Sequence, residues 1–206
     1  MPVDIFSFHK NEVIRIFQTF AGMVERDEWD NRCHLERVQR YCFILANGLD
    51  LHSSEIEAIS IASILHDIGK MDIATEIFTK TDPLLPHEWE LIEQHPTFGK
   101  RILQGSTSHL MQMAETIAFT HHERWDGSGY PQGLRGKDIP ISGQICGIAD
   151  VFDALTTKRP YKTVTTPEAA LDLIMDARGK LFDPNLVDLF ADQFHKAVTV
   201  MEMFLG

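Results

Sequence analysis

Apolar residues recur at helical spacing along nearly the whole chain, and this pattern most constrains the fold. One stripe runs through Leu35, Val38, Cys42, Leu45 and Leu49. Another runs through Val13, Ile16, Phe17, Phe20, Met23 and Val24. Spacings of three and four residues are typical of helices with one buried face. No segment alternates apolar and polar residues strongly enough to predict a strand, so the sequence predicts an all-α fold.

Capping patterns mark several helix starts. Thr166-Pro167 and Asp183-Pro184 each place a capping side chain before a proline, which favours a helix start. Ser54 and Glu57 form a capping-box pattern ahead of a helix over residues 55–65. A loop rich in glycine and proline spans 125–142. We predict a helical bundle with additional C-terminal helices over residues 26–206, preceded by a helical extension over 1–25.

The charge of the chain limits its partners. A formal net charge of −11 makes it a poor nonspecific binder of nucleic-acid polymers or anionic membranes. No run reaches the ~18 apolar residues of a membrane helix, and the N-terminus lacks a signal-peptide pattern, so we expect a cytoplasmic protein. Cys33, Cys42 and Cys146 are widely spaced, which argues against a disulfide framework or a thiolate metal site. An anionic substrate would therefore require placed cations or bound metal.

Seven histidine and aspartate residues stand out among the ten histidines and the acids of the chain. They are His34, His66, Asp67, His95, His121, His122 and Asp150. Nitrogen and carboxylate ligands without thiolate suit iron, manganese, nickel or catalytic zinc. One metal rarely needs so many ligands, so the set predicts at least two metals and a bridging carboxylate. Adjacent His121 and His122 diverge by about 100° on a helix and can occupy neighbouring positions around one metal.

Two metals close together favour hydrolysis of a phosphate ester. Lys70 lies one turn beyond Asp67, where its ammonium could neutralise a phosphate oxygen. The alternative for Lys70 is a solvated charge at a helix end.

The chain resembles the HD-GYP family, a branch of the HD superfamily of metal-dependent phosphohydrolases, over about residues 26–190. The matching segments are "HLERV" (34–38), "LHDIGK" (65–70), "QHPTFGKRIL" (94–103), "HHERWDGSGYPQGLRGKDIP" (121–140), "IADVFDALTTKRPYK" (148–162) and "GKLFDP" (179–184). The long segment from His121 carries most of the specificity, because "HD" alone occurs often by chance.

The resemblance implies an all-α HD-type fold and a centre of two or three iron or manganese ions. It implies hydrolysis of cyclic di-GMP to pGpG or GMP by a metal-bound hydroxide. The implied metal ligands are the seven residues named above, with Asp67 bridging. Lys70 is expected at the scissile phosphate, and Tyr130 and Pro131 beside a guanine. Arg159 and Lys162 are expected to hold the second phosphate or guanine.

Three departures from the family pattern bear on these expectations. Asp30 stands where some trinuclear members carry a glutamate, and its shorter side chain is a candidate ligand for a third metal. The segment "WDNRC" replaces the usual Thr-Gly-containing approach to His34. The segment "MDIATEIFTKTD" differs from the usual proline-containing loop at the cleft mouth.

Two other functions stay open. One is a sensor module that binds cyclic di-GMP with little turnover and signals through a partner. The other is an HD phosphohydrolase for another nucleotide, such as a different cyclic dinucleotide. Since no sensor domain is recognisable ahead of residue 26, we expect either regulation by a protein partner or homodimer, or a stand-alone or excised domain.

Overall fold

A computed structural model describes residues 5–24, 31–78, 80, 82–157 and 164–204. Within these residues the chain is helical and contains no β-strand, so the all-α prediction is confirmed. The helices are α1 (Ile5–Val24), α2 (Asn31–Asn47), α3 (Ser53–Ala62), α4 (Thr75–Phe78), α5 (Pro86–Ile92), α6 (His95–Leu103), α7 (His109–Thr120), α8 (Ile141–Thr156), α9 (Pro167–Asp176) and α10 (Pro184–Glu202). Three 3₁₀ turns span Ser63–Leu65, Ile68–Asp72 and Gly136–Asp138.

The core is built around α2, which packs against α3, α8 and α10. Tyr41 of α2 meets Phe152 of α8 edge to face, with ring centroids 5.2 Å apart. Phe152 in turn meets Phe190 of α10 at 5.1 Å. All three rings are fully buried. Because burying one large apolar side chain stabilises the fold by about 1.5–3 kcal/mol, this aromatic row holds α2 and α8 in a defined register.

Two of the predicted helix starts are confirmed, and one is wrong. The Thr166 hydroxyl accepts from the Ala169 N–H, and the Asp183 carboxylate accepts from the Asn185 N–H. The Ser54 capping box is not formed, because α3 begins earlier. The His52 imidazole accepts the Ser54 N–H at 3.3 Å and acts as the cap.

Helix α1 buries only part of its predicted apolar stripe, including Phe17 and Val24. Ala21 is buried, and Ile14 and Phe17 pack against the core, whereas Ile16, Phe20 and Met23 are exposed. The sequence is apolar on two sides of this helix, and contacts with α2 and with the 3₁₀ turns after α3 select between them. The predicted boundary between an extension over 1–25 and a main domain over 26–206 falls within residues 25–30, outside the described part, and stays a prediction. None of the described helices is long and apolar enough to cross a membrane.

Candidate metal centre

The His66-Asp67 pair lies between the two 3₁₀ turns that follow α3. Gly69 in the second turn packs directly against the backbone of α6. A Cβ atom at Gly69 would collide with the carbonyl oxygen of His95. Gly147 of α8 packs similarly close to His121, whose carbonyl oxygen would lie 2.7 Å from a Cβ there. The first close approach brings His95 of α6 towards Asp67, and the second brings α8, which carries Asp150, against His121.

Four side chains form a first group, which we call the four-residue cluster: Asp67, His95, His121 and His122. Their ligand atoms all lie within 4.8 Å of one another. The Asp67 Oδ1 atom is 3.1 Å from His95 Nε2 and 3.6 Å from His121 Nε2. His95 begins α6, and the adjacent histidines follow the last turn of α7. His121 and His122 both belong to this cluster, and their predicted ligation of one metal stays a prediction.

The second group, the three-residue cluster, consists of His34, His66 and Asp150. The Asp150 Oδ1 atom lies 4.0 Å from His34 Nε2 and 3.9 Å from His66 Nε2. The second oxygen of Asp67 is 3.2 Å from His66 Nε2. Asp67 therefore directs one oxygen to each cluster, which is the geometry of a bridging carboxylate.

The hydrogen bonds of the rings show which nitrogen faces inward. Nδ1 lies 2.8 Å from the Ser63 carbonyl in His66 and 2.7 Å from the Ile92 carbonyl in His95. In His121 it lies 3.1 Å from the Ile117 carbonyl. A carbonyl oxygen only accepts, so each Nδ1 carries the proton and each neutral ring directs the lone pair of Nε2 inward.

Those lone pairs make the centre suitable for a cation. The Nε2 atoms of His95 and His121 are 3.3 Å apart, with no proton between them when both Nδ1 atoms donate. Two facing lone pairs repel, and a divalent metal between or beside them relieves that repulsion. The donor set of five imidazoles and two carboxylates also matches the ligand preference of such metals. These residues therefore fit a divalent metal centre.

Charge and burial favour the ligating forms of these residues. Burial lowers the pKa of His121, and burial together with the neighbouring His121 and His95 holds the pKa of His122 well below its ordinary value. Burial opposes ionisation of Asp67, but Lys70 and His66 outweigh it, so the pKa of this carboxyl lies well below its ordinary value. The Lys70 ammonium is 2.6 Å from Asp67 Oδ2, beside the candidate metal centre, and its expected contact with a phosphate stays a prediction.

The loop after α7 covers the four-residue cluster. The Tyr130 ring stacks on His122, with centroids 4.8 Å apart and planes inclined by 26°. Its backbone N–H donates to the His122 carbonyl. Burial raises the pKa of Tyr130, so the hydroxyl stays protonated. Pro131 is half-buried, as Tyr130 is. Of the predicted substrate residues, Tyr130 thus lies against a candidate ligand, and Pro131 follows it in the chain.

Two carboxylates of the site were missed by sequence reasoning. Glu123 is buried, and its two oxygens accept from the Gln132 and Leu134 N–H groups, each at 2.8 Å. Asp153 is buried beside His34, with 2.7 Å between Asp153 Oδ2 and His34 Nδ1. Asp153 follows Asp150 by one helical turn, and this spacing was the available signal. Asp30, Arg159 and Lys162 lie outside the described residues, so their predicted roles stay predictions.

Comparison with known proteins agrees with this geometry. Residues 18–186 match the family model described as HD domain. The chain is 44% identical to the 3′3′-cGAMP-specific phosphodiesterase 2 of Vibrio cholerae, over 87% of this chain and 34% of that protein. It is 38% identical to a cyclic di-GMP phosphodiesterase of Thermotoga maritima, over 91% of this chain and 51% of that protein. An HDGYP protein from Bdellovibrio bacteriovorus shares the fold, with a TM-score of 0.64, 22% identity, and coverage of 91% and 62% of the two chains.

The helical fold, the His-Asp clusters and the family match together define the class: the chain belongs to the HD domain family. It spans between a third and about half of the length of these two curated relatives. The Gly129-Tyr130-Pro131 element folded over the His-Asp centre further identifies it as an HD-GYP protein.

Proposed function

We propose that this chain is a metal-dependent phosphodiesterase that hydrolyses cyclic di-GMP to pGpG, GMP or both. The observation that carries the proposal is the position of Asp67, whose two oxygens face two ligand clusters while Lys70 contacts the same carboxylate. Such a centre is suited to phosphate-ester hydrolysis, because it combines two neighbouring candidate cation sites with an ammonium group.

The seven residues of the two clusters would hold two divalent ions, which we propose to be iron or manganese. When bound, such ions activate water and stabilise charge on a phosphate. Asp30 is the candidate for a third ion. On a chain of net charge −11, these cations would create the local positive potential that an anionic substrate needs.

Lys70 is the proposed catalytic cation. Its ammonium lies beside Asp67 and 6.0 Å from the centroid of the Phe78 ring. From this position it can donate to a phosphate oxygen and protonate or stabilise the leaving oxygen. Tyr130 and Pro131 would contact a guanine, and Arg159 and Lys162 would hold the second phosphate or base.

A second cyclic dinucleotide is also a candidate substrate. The relative with 44% identity is named as specific for 3′3′-cGAMP, whereas the relative with 38% identity is named for cyclic di-GMP. Both substrates present the same phosphodiester to the metal centre and differ in one base. The choice between them would be made by the loop that carries Tyr130.

The test is turnover by protein purified without oxygen and loaded with Fe²⁺ or Mn²⁺. Each dinucleotide is supplied separately, and products are separated by chromatography and identified by mass. We expect a linear dinucleotide or mononucleotides from at least one of them. Failure to cleave either, with two or more metals per chain verified, would contradict the proposal. Tight binding without cleavage would indicate the sensor function instead.

Lys70→Met provides the matched test of the catalytic cation. We expect loss of about 10²–10³ in kcat, the scale for removing one group that stabilises charge at the reacting centre. Lys196→Met removes an exposed lysine of α10 and serves as the control, with turnover expected at the level of the unmodified chain.

A further inference from the structure

The ring of His34 is held by a different kind of hydrogen-bond partner from the rings of three other candidate ligands. His66, His95 and His121 each direct Nδ1 at a backbone carbonyl. His34 instead directs Nδ1 at a side chain, the Asp153 carboxylate, at 2.7 Å. A backbone carbonyl stays in place whatever the side chains are, whereas a carboxylate depends on one residue. The three-residue cluster therefore has an orienting group that substitution can remove.

Asp153 is itself held firmly. Arg37 Nε donates to Asp153 Oδ1 at 2.6 Å, and Arg37 Nη2 donates to Oδ2 at 3.1 Å. The same Nη2 also donates to the Thr157 hydroxyl at 3.0 Å. Asp153 is only 1% exposed and Arg37 only 3%. The pair joins α2 to α8 and prevents rotation of the carboxylate that faces His34.

This arrangement sets the position of the proton on His34. A guanidinium is always charged and only donates, so its two contacts keep Asp153 as an acceptor. His34 must then carry its proton on Nδ1, which leaves the lone pair of Nε2 directed towards Asp150, 4.0 Å away. A carboxylate in this position also strengthens the metal-binding nitrogen of the ring more than a neutral carbonyl does.

We propose that Asp153, held by Arg37, is a positioning residue that sets the metal affinity of the three-residue cluster without setting that of the four-residue cluster. The inference rests on the metal centre of the proposed function but is independent of the nucleotide. It assigns a role to two buried residues that do not belong to either cluster.

The test is Asp153→Asn, with Mn²⁺ affinity measured by competition against a chelator and no nucleotide present. The amide can direct its oxygen to Arg37 and its NH₂ group to His34. That orientation favours the opposite tautomer and removes the lone pair from Nε2. We expect one Mn²⁺ per chain to bind about 10–100-fold more weakly, as for other partners of metal-ligating histidines, while the other is unchanged.

A spectroscopic readout separates positioning from general loosening of the fold. In metal-free protein with ¹⁵N-labelled histidine, the His34 proton is expected on Nδ1 in the unmodified chain and on Nε2 in Asp153→Asn. Asp188→Asn is the matched control, because Asp188 also forms a two-point pair with Arg178, at 2.7 and 2.6 Å, but on the exposed surface. Neither the affinity nor the tautomer should change in the control.

Asp153→Asn also leaves the buried Arg37 charge without its partner, so destabilisation must be tested separately. The double variant Arg37→Gln/Asp153→Asn removes both charges and is expected to show the same selective loss of one Mn²⁺. Equal weakening of both Mn²⁺ ions, or no weakening, would overturn the inference. Fewer than two Mn²⁺ on the unmodified chain would overturn it together with the proposed metal centre. Absence of nucleotide cleavage with intact Mn²⁺ binding would contradict only the proposed function.

Discussion

The two ligand clusters differ in how their histidines are oriented and covered. In the four-residue cluster, His95 and His121 are fixed by backbone carbonyls, and Tyr130 covers His122. In the three-residue cluster, His34 is fixed by the Asp153 side chain and His66 by the Ser63 carbonyl. The carboxylates differ too, since the Asp150 side chain is 18% exposed and that of Asp67 is 9% exposed.

This difference indicates a division of roles. Backbone carbonyls make two rings of the four-residue cluster robust to single substitutions in their surroundings, and Tyr130 of the loop lies on a third ring, where we propose that the substrate binds. In the three-residue cluster, His34 depends on a side chain of α8, whereas His66 is again fixed by a backbone carbonyl. Among the described residues, Asp67 is the acid whose two oxygens face both clusters, and substitutions around it should show how far the clusters are independent.

Replacing the shared acid should have the largest effect. In Asp67→Asn both clusters lose a charged ligand, so we expect turnover to fall by about 10³-fold, comparable with loss of a group acting directly at the reacting phosphate. Metal content should fall at both clusters, as measured by elemental analysis. Asp72→Asn is the control, because Asp72 pairs with Arg101 at 2.6 Å on the surface. Retention of both metals in Asp67→Asn would show that Asp67 does not bridge.

Acid should destabilise the metal-free protein through the four-residue cluster. His121 and His122 have lowered pKa values in the fold, whereas in the unfolded chain they titrate near about 6.5. The unfolded chain therefore binds more protons below that pH. The stability due to these neutral rings is complete above about pH 6.5 and is lost as the pH falls towards their folded pKa values.

The expected slope is up to about 1.4 kcal/mol per pH unit for each ring. Urea unfolding of chelator-treated protein between pH 7.5 and 5 measures it, with His122→Gln as the comparison. The variant should show a shallower dependence on pH. An identical slope would mean that His122 does not contribute to the loss of stability in acid.

Loosening the loop should affect the four-residue cluster and spare the other. In Glu123→Gln one of the two backbone N–H groups faces an amide NH₂ group, and the lost hydrogen bond costs about 1–3 kcal/mol. We expect lower stability in thermal unfolding and a higher KM, with Mn²⁺ affinity retained at the three-residue cluster. The comparison is Asp126→Asn, which changes an exposed acid of the same loop. The Asp126 carboxylate accepts a hydrogen bond from the Ser128 N–H at 2.9 Å. Its stability should change by less than that of Glu123→Gln.

The smallest effect is expected from removing the Tyr130 hydroxyl alone. Tyr130→Phe keeps the ring on His122, so unfolding free energy and Mn²⁺ binding should stay close to those of the unmodified chain. Tyr130→Ala removes the stacked pair, which is worth about 0.5–1.5 kcal/mol, and should also raise KM for the dinucleotide. A Phe variant as impaired as the Ala variant would assign the role to the hydroxyl instead of the ring.

Much of the fold could be predicted because it is local. The helical spacing of Leu35, Val38 and Cys42 specifies a buried face of α2, and Thr166 and Asp183 specify helix starts through contacts two or three residues away. The prediction was only partly right at α1, where two faces are apolar and contacts with α2 and the 3₁₀ turns after α3 select one. It was wrong at Ser54, because His52 can cap a helix although it is not a usual capping residue.

In the candidate site, too, some features follow from the sequence and others from tertiary contacts. The sequence alone showed a set of histidines and aspartates with the chemistry of a metal centre, because residue type determines which atoms can donate to a metal. How that set divides was decided by the tertiary structure. His66 and Asp67 are neighbours in the chain, yet they belong to different clusters, since the turn directs one side chain towards α2 and α8 and the other towards α6 and α7. The role of Asp153 likewise depends on α8 lying against α2, a contact 119 residues apart in sequence that local spacing does not encode.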